Sequence, residues 1–241
     1  MAGHSAWKNI KHRKAAVDAK RGKLWSKASR AIIVAARTGG ADPRFNASLR
    51  MAIDEARSVN MPRDTIEKAV KKGSGALEGE EYQAIRYEGY GPGGVALVVE
   101  CLTTNINRTA PEVRTLFDKH GGNLGVNGSV AHSFRQCGVV ILPREALSED
   151  RVMEIGLEAG ADDVVGHDDA WQLTCPASTL AAVRDAFEVA GIAPEQAQVL
   201  WVPQVEVAVD AALAERIRAL VDGLEELDDV QKVYANALFP D

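Results

Sequence analysis

A chain of 241 residues, 46% apolar and 26% charged, has globular composition with room for one to three domains, which excludes disorder throughout. It contains no run of 18 uncharged apolar residues, which excludes a membrane-spanning helix. Cys101, Cys137 and Cys175 are too far apart for a disulfide framework or a CxxC zinc site, and they fit a reducing compartment.

The net charge of −6 hides a segregation. Residues 1–75 carry 17 Lys and Arg against 6 Asp and Glu, a balance of +11. The remainder carries 11 against 28, a balance of −17. Residues 1–30 set nine cations against Asp18 alone, or +8. This asymmetry points to an anion-binding head on an acidic body. The start lacks the apolar stretch of a secretory signal, and its basic run passes unbroken into a helical pattern. We therefore expect it to belong to the mature protein and expect the protein to be cytoplasmic.

Residues 1–17 show no period and read as an extended basic arm. From Asp18, Leu24, Ala28, Ala31, Ile32 and Ala35 recur at helical spacing, up to Gly39-Gly40. A second helix is expected over Asn46–Val59. A third runs from Pro62, at a favoured first position, to Lys72. At Tyr82 the period changes to two. Strands are expected over 83–90 and 94–102, joined by a glycine-rich turn. A helix is expected over Ala110–His120 with Thr109 as its N-cap, then a loop at Gly121–Gly125 and a strand near Val130–Arg135. Strand 138–142, helix 148–159, strands 162–166 and 170–175, helix 178–190 and strand 196–202 follow in the β-α-β-β-α-β order of ferredoxin-like units. A helix at Ala211–Leu227 and a strand at Val230–Ala235 close the chain.

Neither the strand-rich stretch after residue 80 nor the final helix and strand can bury its apolar face alone. The expected fold is thus α+β with three domains. Residues 1–79 form a basic arm and three-helix domain. Residues 80–136 plus 204–241 form a discontinuous α/β-sandwich domain. Residues 137–203 form an inserted ferredoxin-like domain.

The basic arm is the main candidate site. Trp7, Lys8, Lys11, His12, Arg13, Lys14, Lys20, Arg21, Lys23, Lys27 and Arg30 are the expected nucleic-acid-binding residues. Cations neutralise phosphates and release counterions, and an aromatic among them can stack on an unpaired base. The other reading of this arm is a solvated charge run with Trp7 packed on the helical domain. Asn107, Arg108 and Thr109, at an expected helix N-terminus, are secondary candidates. Gly89, Gly91 and Gly94 match GxGxxG, but a strand follows rather than the helix that dinucleotide binding requires, so they read as a hairpin turn. Asp162-Asp163 and His167-Asp168-Asp169 read as a solvated turn rather than a metal site. No P-loop, HExxH or paired-carboxylate set is present, and we expect no catalytic residues, metal or cofactor.

Several motifs resemble those of the YebC family. They are Met1-Ala-Gly-His-Ser-Ala-Trp7-Lys-Asn-Ile10, Arg13-Lys14, Asp18 to Arg21, Asn60-Met61-Pro62, Tyr87 to Gly94, Asn107-Arg108-Thr109 and Gly121-Gly122-Asn123-Leu124-Gly125. Thr104-Asn105 departs from the pattern, where an acidic residue followed by Asn is expected. The resemblance spans the chain. It implies three domains around a central cavity and a role as a probable DNA-binding transcriptional regulator. It also implies an alternative, since a mitochondrial relative is a translational activator and bacterial members are linked to relief of ribosome stalling at proline-rich stretches. The expected partner is therefore DNA, or rRNA or tRNA at the ribosome, and not a membrane. Homo-oligomerisation stays open. A small-molecule sensor or enzyme built on the inserted domain is the rival from another class, and the sequence shows no polar-lined pocket for it.

Overall fold

The structure, a computed structural model, describes residues 21–240. The expected arm at residues 1–17, with Trp7, Lys8, Lys11, His12, Arg13 and Lys14, lies outside the described residues, as does Lys20.

Helices α1 (Arg21–Gly39), α2 (Ala47–Ser58) and α3 (Arg63–Gly73) pack around Ile32, Ile33, Leu49, Ile53, Ala56 and Ile66. These side chains recur at three- and four-residue spacing, so each helix turns one apolar stripe inward. Asn46 caps α2, its side chain accepting from the Leu49 amide. Pro62 is the N-cap of α3 rather than its first helical residue. Gly73 ends α3 where the chain crosses α1 closely. A Cβ there would lie 2.5 Å from the Ile33 carbonyl oxygen and 2.6 Å from the Ala36 Cβ. Gly73→Ala should therefore push α3 off α1 and cost about 1–3 kcal/mol, read as a lower thermal midpoint in circular dichroism.

Strands β1 (Gln83–Tyr90), β2 (Ala96–Thr103), β3 (Asn123–Leu124) and β9 (Val230–Ala235) form an antiparallel sheet in the order β3-β1-β2-β9. Helices α4 (Ile106–Lys119) and α7 (Ala211–Glu226) cover one face, where Leu97, Val99 and Val233 meet Phe117, Ile217, Leu220 and Leu224. The last helix and strand thus complete the sheet that β1 and β2 begin. Alternation along β2 turns Ala96 and Val98 to the opposite face. There they share a core with Phe134, Val139, Ile141 and Leu200 of a second sheet.

That second sheet is built from β4 (Phe134–Pro143), β5 (Asp163–Gly166), β6 (Ala170–Cys175) and β7 (Gln196–Pro203). Its order is β5-β6-β4-β7 and every pairing is antiparallel. Helices α5 (Glu149–Glu158) and α6 (Leu180–Val189) cover its outer face through Val152, Val183 and Phe187. This is the ferredoxin-like arrangement, inserted between β3 and the final helix and strand. A short parallel pair, β8 (Val207–Ala208) with β10 (Ala237–Leu238), ties the exit of the insert to the C-terminus.

Three local expectations change. The strands expected near 130–135 and over 138–142 are one strand, β4. A 3-10 turn at Ala131–Ser133 precedes it. Residues 123–124, expected in a loop, pair with β1. Helix α4 begins one turn earlier than expected, and its cap is Asn105, whose side chain accepts from the Arg108 amide, not Thr109. Pro111 stands in the second turn of this helix. The structure accommodates it inside the helix, where it forfeits one backbone hydrogen bond.

Candidate nucleic-acid interface

Arg21 opens α1 as described. Lys23, Lys27 and Arg30 follow at three- and four-residue spacing and so share one face of that helix. They do not face solvent as a free basic stripe. The Lys23 ammonium donates to the Glu226 carbonyl oxygen at 2.7 Å and that of Lys27 to the Glu225 carbonyl at 2.9 Å. The Arg30 guanidinium donates to the Asp228 carbonyl and lies 3.8 Å from the Asp229 carboxylate. Its planar face sits 5.6 Å from the Tyr82 ring centroid. All three cations therefore meet the C-terminal end of α7, where unpaired carbonyls concentrate negative charge.

Asp229, in the turn from α7 to β9, is the hub of this contact. Its side chain is only 4% exposed. The Thr103 and Thr109 hydroxyls donate to Oδ2 at 3.0 and 2.7 Å, and the Arg108 guanidinium donates to the same oxygen at 2.6 Å. Its backbone carbonyl accepts from the Leu102 amide at 2.8 Å. Burial alone would raise its pKa, but the bonds from Arg108, Thr109 and Thr103 outweigh burial and hold it below the ordinary Asp value.

The secondary candidates thus divide. Arg108 and Thr109 are committed to Asp229, whereas Asn107 is exposed. Thr104-Asn105, the departure from the resemblance, sits at the cap. The Asn105 amide donates to the Thr103 hydroxyl at 2.9 Å. Around this hub, Lys23, Arg30, Tyr82, Arg108, Glu112 and Asp228 line a cleft of about 540 Å³ between the helical unit and the first sheet. Further along the same seam, Glu55 pairs with Lys232 of β9 at 3.1 Å, while Asp54 lies 3.8 Å from Arg184 of α6 and so faces the inserted unit instead.

Two family models match this chain. The TACO1/YebC N-terminal domain matches residues 5–76, and the TACO1/YebC second and third domain matches residues 82–237. The chain belongs to the TACO1/YebC family. It is 56% identical over 239 residues to a probable transcriptional regulatory protein of Methylococcus capsulatus, covering 98% of this chain and 96% of that one. It is 50% identical over 242 residues to another from Cupriavidus taiwanensis, covering both chains in full. Both of these relatives bear the names of regulators rather than enzymes. The crystal structure of a conserved hypothetical protein from Aquifex aeolicus, 46% identical, superposes with a TM-score of 0.85 over 93% of each chain.

In this TACO1/YebC chain the Gly89–Gly94 segment ends β1 at Tyr90 and then makes the hairpin turn into β2. Gly93 and Gly94 adopt positive φ of 73° and 75°. Gly122 packs against the turn so closely that a Cβ would lie 2.5 Å from the Tyr90 carbonyl oxygen. Glu88, just before the turn, is buried. It accepts from the Val130 and Ala131 amides at 2.9 and 3.0 Å and pairs with Arg86 at 3.0 Å. Burial opposes its ionisation, but these backbone amides and Arg86 hold its pKa below the usual Glu value.

The three cysteines are buried, and burial pushes the Cys101 thiol up to about 12. A thiol so raised is not a nucleophile near neutral pH. Among the described residues no group of three His, Cys, Asp or Glu side chains could hold a metal ion, and no helix is long and apolar enough to cross a membrane.

Two site features escape a reading of the sequence. Asp229 stands there as one acid among several in Glu225-Glu226-Leu227-Asp228-Asp229. Its only signal is its place between the end of an apolar helix and the start of a strand. Phe45 sits in a Gly/Asp/Pro-rich turn and carries no motif, yet it is 85% exposed.

Proposed function

We propose that this chain is a non-enzymatic, cytoplasmic nucleic-acid-binding regulator of gene expression, acting as a DNA-binding transcriptional regulator. The observation that carries the reading is the charge segregation, +11 over residues 1–75 against −17 over the rest. A polyphosphate is attracted to the first part and repelled by the second, so the field of the protein fixes which part meets the ligand. The relatives' names as transcriptional regulatory proteins support the same reading. Contacts made by Lys and Arg with phosphates position a nucleic acid without reading its sequence. Lys8, Lys11, Arg13, Lys14 and Lys20 are the phosphate-binding set, and Trp7 and His12 stand beside them. Asn107, exposed at the N-terminus of α4, is a secondary contact.

The test is the salt dependence of duplex binding. The slope of log affinity against log salt should fall by up to about 3 when Lys11, Arg13 and Lys14 are replaced by Ala, roughly one for each phosphate left without its cation. Fluorescence anisotropy across a salt series measures it. A slope that does not change in the triple variant removes the arm from the interface.

A further inference from the structure

We propose that Phe45, at the tip of the α1–α2 turn, is a stacking platform for an unpaired nucleobase, flanked by cations that take the adjoining phosphates. The inference rests on the nucleic-acid-binding reading and adds a contact site that the basic arm does not contain.

Phe45 is the only aromatic among the large apolar side chains left exposed in the described residues. The turn that presents it is held rigidly. Gly40 takes a left-handed φ of 89° to leave α1. Asn46, itself buried, donates to the Ala35 and Gly40 carbonyls at 2.8 and 2.7 Å while accepting from the Leu49 amide at 3.0 Å. The Phe45 amide donates to the Asp42 carbonyl at 3.1 Å, and the Arg44 guanidinium grips the Asp42 carboxylate at 2.6–3.1 Å. Phe45 is thus anchored on both sides with its ring outside. The Arg44 guanidinium stands 5.6 Å from the ring centroid.

The cations around this tip differ from those at the other end of α1. Lys23, Lys27 and Arg30 are committed to α7. Arg50, by contrast, stands one turn into α2 from Asn46. Gly73, packed on Ile33 and Ala36, brings the end of α3, with Lys71 and Lys72, to the same end of the helical unit. None of these three side chains forms an ion pair or hydrogen bond among the described residues. The docked cations Arg30 and Lys23 stand nine and sixteen residues before Gly39, so at about 1.5 Å each α1 keeps this end roughly 14 to 24 Å from them.

Charge selects the occupant. Residues 21–75 hold 12 Lys and Arg against 5 Asp and Glu, so a polyanion is favoured over an apolar protein pocket. An aromatic on a projecting turn meets the face of a base only where that base is unstacked, which selects single strands over duplex.

The experiment uses the full chain with labelled single-stranded RNA, single-stranded DNA and duplex DNA of equal length, read by fluorescence anisotropy. Phe45→Ala should raise the Kd for a single strand about tenfold, within the range expected for one stacked base. Phe45→Trp should retain binding. Phe45→Leu, which keeps an apolar side chain without a π-face, should behave like Ala. Duplex affinity and the thermal midpoint should not change in any of them. A larger effect on RNA identifies RNA as the source of the base, and a larger effect on DNA identifies DNA. Wild-type binding that Phe45→Ala leaves intact, or equal losses on duplex and single strand, overturns the stacking site alone. Wild-type protein that binds no nucleic acid overturns the underlying reading as well.

Discussion

Replacing Asp229 with Asn should lower the unfolding free energy by about 2–4 kcal/mol at pH 7, because it removes the charge from a buried carboxylate with three side-chain donors. Asn can keep a carbonyl oxygen where Thr103, Thr109 and Arg108 donate, but it loses the negative charge that Arg108 pairs with and turns an NH2 group towards the Arg30 guanidinium, which lies 3.8 Å from the other carboxylate oxygen. In a chain of this length the destabilisation corresponds to roughly 5–15 °C in thermal midpoint. The pH dependence has a defined sign. The carboxyl's pKa is lower in the folded state than in the unfolded chain, so near the ordinary Asp value the unfolded state binds more protons. The stabilisation is complete above about pH 5 and is lost as the pH falls through the folded-state value. The gap between wild type and Asp229→Asn should therefore be widest at neutral pH and close as the pH falls below the ordinary Asp value and through the lower folded-state one. Thermal melts across that range measure it. A gap of the same size at acid and neutral pH would mean that shape rather than charge is what Asp229 contributes. Glu88, whose pKa is lowered as well, adds to the acid sensitivity of both proteins equally.

The order of elements was legible because periodicity carries it. Strands at 83–90, 170–175 and 230–235 and the helix beginning at Ala211 alternate or repeat cleanly. The insertion followed from asking which apolar faces lacked partners. What periodicity missed was decided by single side chains. Asn105 and Thr109 both qualify as caps, and the choice between them rests on Thr109 being needed at Asp229. The 3-10 turn at Ala131–Ser133 exists because the Val130 and Ala131 amides turn inward to the buried Glu88 carboxylate, a pairing 42 and 43 residues apart in sequence. The candidate site was legible only as charge. Composition counts Lys23, Lys27 and Arg30 as cations but does not show that α7 ends opposite them. Phe45 carries no signal either, since a lone aromatic in a polar turn is exposed or buried according to how the turn is pinned, here by Asn46.

The engagement of these three cations with α7 sets the second large effect. Replacing Lys23, Lys27 and Arg30 together by Ala should loosen the helical unit from the first sheet. Each donates a charge-assisted bond to a carbonyl at the end of α7 or in the turn after it. At a solvent-facing seam each such bond contributes about 1 kcal/mol net. Removing three weakens docking by about 3 kcal/mol, or roughly 150-fold in the open-to-docked ratio. The remaining ion pair at this seam, Glu55 with Lys232, involves an exposed acid and holds it less firmly, and Asp54 near Arg184 faces α6 of the inserted unit instead. Hydrogen exchange should then accelerate at 225–229 and along the facing side of α1, and the radius of gyration should rise in solution scattering. High salt should move wild type in the same direction, since screening at about 1 M acts over about 3 Å. The same variant separates docking from binding. If these cations met phosphates, as composition alone suggests, the salt slope of duplex binding would fall by about 3. Because they are engaged with α7, the slope should change by less than about 1 while the seam opens. A triple variant that stays closed and shows the reduced slope would return the three residues to the nucleic-acid interface and leave the α7 carbonyls to water.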